Sequence, residues 1–409
     1  MRTIESIFIG ALERLNNQKI ILLTFVFLWG GTTFILLKKY NFNPTAMINF
    51  GLEFVNQNTK EMPANSLVFL GEKDDLGAGY DGQIFYFYSR TISNLNTLWP
   101  KGFDESYRAP RIGYPFLISL FGGFGKWGNV FGMYFINWVL FLASFFALRN
   151  ILSPAARKYS ILYLISPFSL GSYTVLVSDS VMVSLIILSY YFFTKEKFIL
   201  FSIFGGLAII TKEPALFFLF PLGLGSLKEK QWKKTFFILS TLLIPFFWQM
   251  YLRFTFPNWR ISRITDFILP MEGIFSYLSN LVTAFSDFKG IKNLARELSR
   301  LPLFFLFILG VFSVFTGNIK KGWVFRLGII FTLFMVGTAG YYHFWSVYEN
   351  ISRMFTIAVP LVILLQNEDE SVNFTLFYLL LICILILFLV KILFIQDVKP
   401  FLIWENVSR

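Results

Sequence analysis

Residues 19–39 read KIILLTFVFLWGGTTFILLKK, an uncharged run held between lysines. As a helix, residues 20–37 rise about 27 Å at ~1.5 Å per residue, close to the ~30 Å of bilayer hydrocarbon. The run is too long for the apolar core of a signal peptide and no A-x-A cleavage site follows it, so it reads as an uncleaved crossing. Similar apolar segments lie at about 130–148, 159–177, 180–194, 198–210, 214–227, 235–252, 302–317, 323–340, 354–366 and 373–394. With the first they predict about eleven transmembrane helices in one all-α polytopic domain spanning residues 1–409.

Composition agrees. Of 409 residues 56% are hydrophobic and 15% charged, against roughly 25% charged in ordinary soluble proteins. So little charge cannot cover a water-facing surface, whereas a bilayer asks for apolar side chains outside as well as inside. A soluble enzyme is excluded. The net charge of +12 does not point to nucleic acid, because the basic clusters sit between apolar segments, where they set topology and meet lipid headgroups. Cys383 is the only cysteine, so no disulfide forms within the chain. No internal repeat or soluble second domain is visible.

Topology turns on residues 112–125, IGYPFLISLFGGFG. Fourteen residues with three glycines near the end predict an interfacial or re-entrant helix rather than a crossing. With a cytoplasmic N-terminus, the cytoplasmic links then carry Arg149, Arg157, Lys158, Lys195, Lys197, Lys228, Lys230, Lys233, Lys234, Lys320, Lys321 and Arg326. The short links opposite carry only Lys212 and Arg353, a clear positive-inside bias. Only the acidic link QNEDES at 366–371 fits neither orientation. Residues 38–111 become a first outer loop, whose stretch IFYFYSRTISNL at 84–95 predicts an amphipathic helix on the membrane surface. Residues 253–301 become a second outer loop.

In this orientation Asp74, Asp75, Asp81, Arg108, Arg111, Asp179, Lys212, Glu213, His343, Glu349 and Arg353 gather at the outer ends of helices. Ionisable groups inside a membrane are costly and mark function by default. Asp179, Lys212 and Glu213 are equally consistent with helix ends at the water boundary, the last two paired with each other. The most specific pattern is YDGQIFYFYSR at 80–90 followed by YRAPRIGYPFLISLFG at 107–122. It resembles bacterial membrane proteins of the GT-C glycosyltransferase superfamily, in the branch related to glycosylphosphatidylinositol mannosyltransferases and lipid A sugar transferases. VSDS at 177–180, ITKEPALFFLFPL at 210–222 and ENISRMFTIAVPL at 349–361 are weaker likenesses. The resemblance covers roughly residues 75–230, and the remainder by general layout.

The resemblance implies a GT-C-type fold, a polyprenyl-phosphate sugar donor, an active site at the outer face of a bacterial inner membrane, and an acidic catalytic base in the first outer loop. Asp81 matches that position, with Asp74 and Asp75 close enough to leave the base open. The chemistry makes sense without the family. An inverting transfer needs one carboxylate to accept the proton of the attacking hydroxyl. A phosphate leaving group needs cationic donors where its charge grows. Arg108 and Arg111, three apart, would share a helix face and grip one phosphate, or snorkel to headgroups. Lys212 and Arg353 are further phosphate ligands, and Asp179, Glu213 and His343 secondary candidates. Tyr80, Tyr86, Tyr88, Tyr107 and Tyr114 suit an interfacial belt better than sugar stacking.

GFGKWG at 123–128 matches a dinucleotide-binding pattern letter for letter but lacks the preceding strand, and reads as a turn. No ligand set predicts a metal, although a role for a divalent ion stays open, and no cofactor is expected beyond the lipid-linked donor. The expected partners are membrane lipids, that donor, and an envelope lipid or glycan acceptor. The alternatives are a transporter or flippase of lipid-linked sugars, which would call for paired repeats with broken helices, and a noncatalytic scaffold.

Overall fold

The computed structural model describes residues 2–71, 79–96, 98–256, 259, 268–287, 290–396 and 398–405. Among them six helices are long and apolar enough to cross a membrane: Gln18–Lys38, Gly122–Ile151, Trp232–Thr255, Leu294–Phe315, Tyr348–Glu368 and Thr375–Ile395. By length and composition the chain is a multi-pass membrane protein with six such helices, not eleven.

The difference has identifiable causes. The segments expected at 180–194, 198–210 and 323–340 form Asp179–Thr194, Phe198–Thr211 and Trp323–Gly337, whose 14 to 16 residues reach only about 21–24 Å. The segment 159–177 divides at Ser166 and Pro167 into helices of five and eight residues, because proline has no N–H to continue the hydrogen-bond ladder. The segment 214–227 yields a 13-residue helix with Pro221 inside it. Apolar composition measures tolerance of lipid, not the length of an unbroken helix.

Asp179–Thr194 forms the centre of the molecule. Every residue from Asp179 to Ser189 is buried, and the helix packs against Gly125–Ile151 and Phe198–Thr211. A helix apolar on all sides seeks cover on all sides. The first crossing is fixed to this core through Tyr173, whose hydroxyl meets Thr33 Oγ1 at 2.5 Å and accepts from Trp138 Nε1 at 2.6 Å.

At the end where the first crossing finishes, three short strands add a β component to the expected all-α fold. Strand β1 (Phe50–Gly51) pairs in parallel with β2 (Ser66–Phe69), and β2 pairs antiparallel with β3 (Phe401–Trp404), in the register Ser66 with Trp404 and Phe69 with Phe401. The chain's last strand is thus tied to its first long loop. Lys39 Nζ reinforces the tie by donating to the carbonyls of Ile392 and Gln396 at 2.5 and 2.9 Å.

The expected surface helix is instead internal. In Asp81–Ser93 the residues Gly82–Thr91 are all buried, beneath Phe50, whose ring lies 5.1 Å from that of Tyr86, and against the helix Gly113–Ser119. With Ile84, Phe85, Tyr86, Phe87 and Tyr88 in succession, apolar surface points in every direction around the axis. Gly113–Ser119 has seven residues, about 10 Å, short of the ~30 Å of bilayer hydrocarbon.

At the opposite end Arg326 and Asp369 form a buried ion pair at 2.7 Å, their side chains 3% and 2% exposed. The same guanidinium donates to the carbonyls of Val314 and Thr316 at 2.7 and 2.8 Å. Of the three carboxylates in the link QNEDES, Asp369 is thus neutralised inside the protein while Glu368 and Glu370 are exposed, and Arg326 is a structural cation.

Candidate functional site

The motif YDGQ builds the site one residue at a time. Gln83 Oε1 accepts from the Gly51 amide at 2.9 Å, fastening the start of the helix to β1. Gly82 lies so close to neighbouring backbone that a Cβ would fall 2.6 Å from the Ile48 carbonyl oxygen and 2.7 Å from that of Val175. Asp81 is the first residue of Asp81–Ser93, and Asp179 the first of Asp179–Thr194. Helix N-termini carry partial positive charge that favours carboxylates. Lys212 caps the C-terminal end of Phe198–Thr211, where a cation is favoured in the same way.

These elements bring five of the predicted residues into one ionic network. Asp81 Oδ1 accepts from Arg108 Nη1 at 3.1 Å, and Asp81 Oδ2 from Arg353 Nη1 at 3.4 Å. Arg353 Nη1 also lies 3.8 Å from Asp179 Oδ2, and Lys212 Nζ donates to Asp179 Oδ1 at 2.5 Å. Arg111 Nε forks across Glu213 Oε1 and Oε2 at 2.9 and 3.1 Å. Four cations therefore face three carboxylates at one end of the molecule.

Two expected pairings are corrected. Lys212 and Glu213 do not pair with each other, because Lys212 is extended (φ −165°, ψ 138°) and successive side chains in extended backbone point apart. Arg108 and Arg111 do not share a helix face. The helix Glu105–Arg108 stops before Pro110, and the two guanidinium groups reach different carboxylates. They meet instead on Tyr107, 5.8 and 4.1 Å from its ring centroid.

Asp81 and Asp179 differ in access. The Asp81 side chain is 35% exposed and that of Asp179 only 4%. Burial works against the charge of Asp81, but the guanidinium groups of Arg108 and Arg353 outweigh it and hold the carboxyl well below the usual range. Glu213 follows the same pattern, burial raising it and Arg111 lowering it further. Asp179 Oδ2 and Arg353 Nε have no hydrogen-bond partner among the described residues.

Sequence reasoning missed Asn350. Its Oδ1 accepts from the Tyr80 hydroxyl at 2.7 Å and from Arg353 Nη2 at 2.9 Å, while its Nδ2 donates to the His343 carbonyl at 2.7 Å. The Tyr80 ring lies 5.1 Å from the Arg353 guanidinium carbon. The signal was available: Asn350 precedes Arg353 by three in ENISR, a spacing that shares a helix face. The His343 side chain is exposed and outside the network. Asp74 and Asp75 lie outside the described residues. Tyr86, Tyr88 and Tyr114 are buried rather than belt residues, their hydroxyls donating to the carbonyls of Glu61, Ala109 and Met133 at 2.9, 3.0 and 3.4 Å.

Two clefts lie among the elements that carry these residues. One of about 290 Å³ is walled by Tyr88, Trp99, Trp248, Tyr251 and Phe256. It adjoins Ala109, whose carbonyl accepts from Tyr88 and Trp248 at 3.0 and 2.8 Å. The other, about 380 Å³, reaches the network at Tyr80. Asp81 itself lines neither. No family model, curated protein or solved structure matches this chain. The site sets a partly exposed carboxylate, Asp81, beside a concentration of cationic donors.

Proposed function

We propose that the chain is a GT-C-type glycosyltransferase of the bacterial inner membrane. It moves one sugar from a polyprenyl-phosphate donor to an envelope lipid or glycan at the periplasmic face, with inversion. The observation that carries this reading is the partly exposed Asp81 between Arg108 and Arg353. In the transfer the acceptor hydroxyl gives its proton to Asp81, its oxygen bonds to the anomeric carbon, and the carbon–oxygen bond to phosphate breaks, the phosphate leaving with the electron pair. Arg108, Arg111, Lys212 and Arg353 hold that phosphate. A carboxylate held by two guanidinium groups is a poor base. An arriving phosphate competes for those groups and returns basicity to Asp81, so donor binding prepares the base.

The grouping of charge at one end of the helices, together with the absence of paired repeats in the sequence, favours transfer over transport, which uses broken helices at mid-membrane depth. The test is sugar transfer by purified protein in lipid nanodiscs, supplied with radiolabelled polyprenyl-phosphate sugars and envelope lipid extract, wild type beside Asp81→Asn. A labelled product formed by wild type alone supports the reading. No donor consumption together with movement of labelled lipid between leaflets in liposomes would replace it with a flippase.

A further inference from the structure

Arg353 stands between two carboxylates without a close contact to either. Its Nη1 lies 3.4 Å from Asp81 Oδ2 and 3.8 Å from Asp179 Oδ2, whereas its Nη2 donates to Asn350 Oδ1 at 2.9 Å. The Tyr80 hydroxyl donates to the same oxygen at 2.7 Å, and the Tyr80 ring lies 5.1 Å from the guanidinium carbon. Coulomb attraction alone would draw the guanidinium to Asp179. That carboxylate is 4% exposed against 35% for Asp81, and attraction is stronger where water is excluded. Its Oδ2 also has no hydrogen-bond partner among the described residues.

The amide of Asn350 matches its surroundings. Arg353 offers only donors and the His343 carbonyl only an acceptor. The amide meets the first with its oxygen and the second with its nitrogen, at 2.7 Å. The support behind it is fixed in turn. His343 belongs to the turn Tyr341–Trp345, in which the amides of Trp345 and Ser346 donate to carbonyls five residues back at 3.2 and 2.7 Å. Trp345 is fully buried, and its carbonyl accepts from Nη1 of Arg300, whose side chain is 1% exposed. Tyr277 stacks on the Trp345 ring at 5.5 Å and lies 5.3 Å from the Arg300 guanidinium carbon. A cation buried this deeply is costly unless engaged, and this one anchors the turn rather than the ionic network.

We infer that Asn350 is a positioning residue: fastened to the turn that Arg300 clamps, it holds the Arg353 guanidinium toward Asp81 and away from Asp179. The consequence for catalysis rests on the transfer reading, in which Arg353 meets the leaving phosphate beside the base. Without Asn350 the guanidinium moves to Asp179, and Arg108 and Lys212 are the cations that still face Asp81. The Asp81 carboxyl then rises toward its ordinary value of about 3.9.

Infrared titration of the full chain in detergent reads the protonated carboxyl band of Asp81, isolated by subtracting the same protein carrying Asp81→Asn. Wild type is expected to show no such band from about pH 7 down to about pH 3, because Arg108 and Arg353 hold the carboxyl well below its usual range. Asn350→Ala is expected to show it, with Asn350→Leu as a second neutral variant should the first fail to fold. In an Arg353→Gln background the band is already present, and adding Asn350→Ala should not move it, since the amide acts through the guanidinium. In sugar transfer Asn350→Ala should lower kcat about 10–100-fold at unchanged KM and move the acid limb of kcat/KM to higher pH.

A lowered melting temperature with Asp81 ionising as in wild type would make Asn350 a residue of the fold alone and overturn the inference. An equal shift of the band with and without Arg353 would overturn it as well. If the band behaves as expected but wild type transfers no sugar, the positioning stands and the transferase reading falls. If wild type transfers sugar and Asn350→Ala matches its kcat and acid limb, the inference falls and the transferase reading stands.

Discussion

Asp81 shows how one carboxylate can be held and yet accessible. Its two oxygens meet two guanidinium groups, while 35% of the side chain remains exposed. Replacing it with Asn keeps the shape and removes the proton acceptor, so sugar transfer should fall by about 10²–10⁴-fold, with membrane insertion unchanged. Stability gives a second readout. The folded carboxyl ionises well below its usual range, so its stabilising contribution is fully present above the unfolded value of about 3.9 and disappears as pH falls through the lower folded value. The melting-temperature gap between wild type and Asp81→Asn should stay constant from pH 8 to pH 5 and close only below about pH 4. A gap that closes between pH 8 and pH 6 would contradict this account.

At the scale of elements, the helix Asp81–Ser93 depends on a glycine beside its acid. Gly82→Ala would press a methyl group against the backbone carbonyls of Ile48 and Val175, and backbone cannot rotate aside as a flexible side chain can. Such overpacking costs about 1–3 kcal/mol, and the displacement falls on the residue next to Asp81. Gly82→Ala should therefore lower both the melting temperature in detergent and sugar transfer, whereas Gly123→Ala, with open space around its Cβ position, should change neither. The charged groups at this end were legible in the sequence, Asp179, Lys212 and Glu213 because they interrupt apolar runs and Asp81, Arg108 and Arg111 through the patterns YDGQ and YRAPR. Their partners were not. Lys212 is extended, and this decides that it serves Asp179 rather than Glu213, while Pro110 decides that Arg108 and Arg111 separate. The sheet was illegible for a different reason: β2 and β3 are four-residue strands more than three hundred positions apart, too short to announce themselves and too distant to pair on paper. The crossings were legible as apolar runs, but prolines 167 and 221 and the short central helices decide how many are long enough to cross alone.

For the whole molecule, the two ends carry ionic groups of different kinds. The network around Asp81 is partly exposed and has more cations than carboxylates, as suits a site that receives an anion. The Arg326–Asp369 pair is buried and closed. The first should respond to substrate and the second to folding. Asp369→Asn or Arg326→Gln leaves one buried charge without its partner, a loss of about 3–5 kcal/mol. Replacing both residues with apolar side chains removes the desolvation cost along with the attraction, so Arg326→Met with Asp369→Leu should recover most of the stability. The Asn318 amide, which donates to Asp369 at 2.9 Å, then loses its acceptor and limits the recovery. Melting temperatures of the two single variants and the double variant in detergent measure the coupling. Sugar transfer per folded molecule, at a temperature where all three remain folded, should match wild type, because the pair lies at the opposite end from Asp81. Additive single losses would mean that the two residues stabilise the helices independently, and a fall in transfer by folded protein would mean that the two ends are coupled through the central helix Asp179–Thr194.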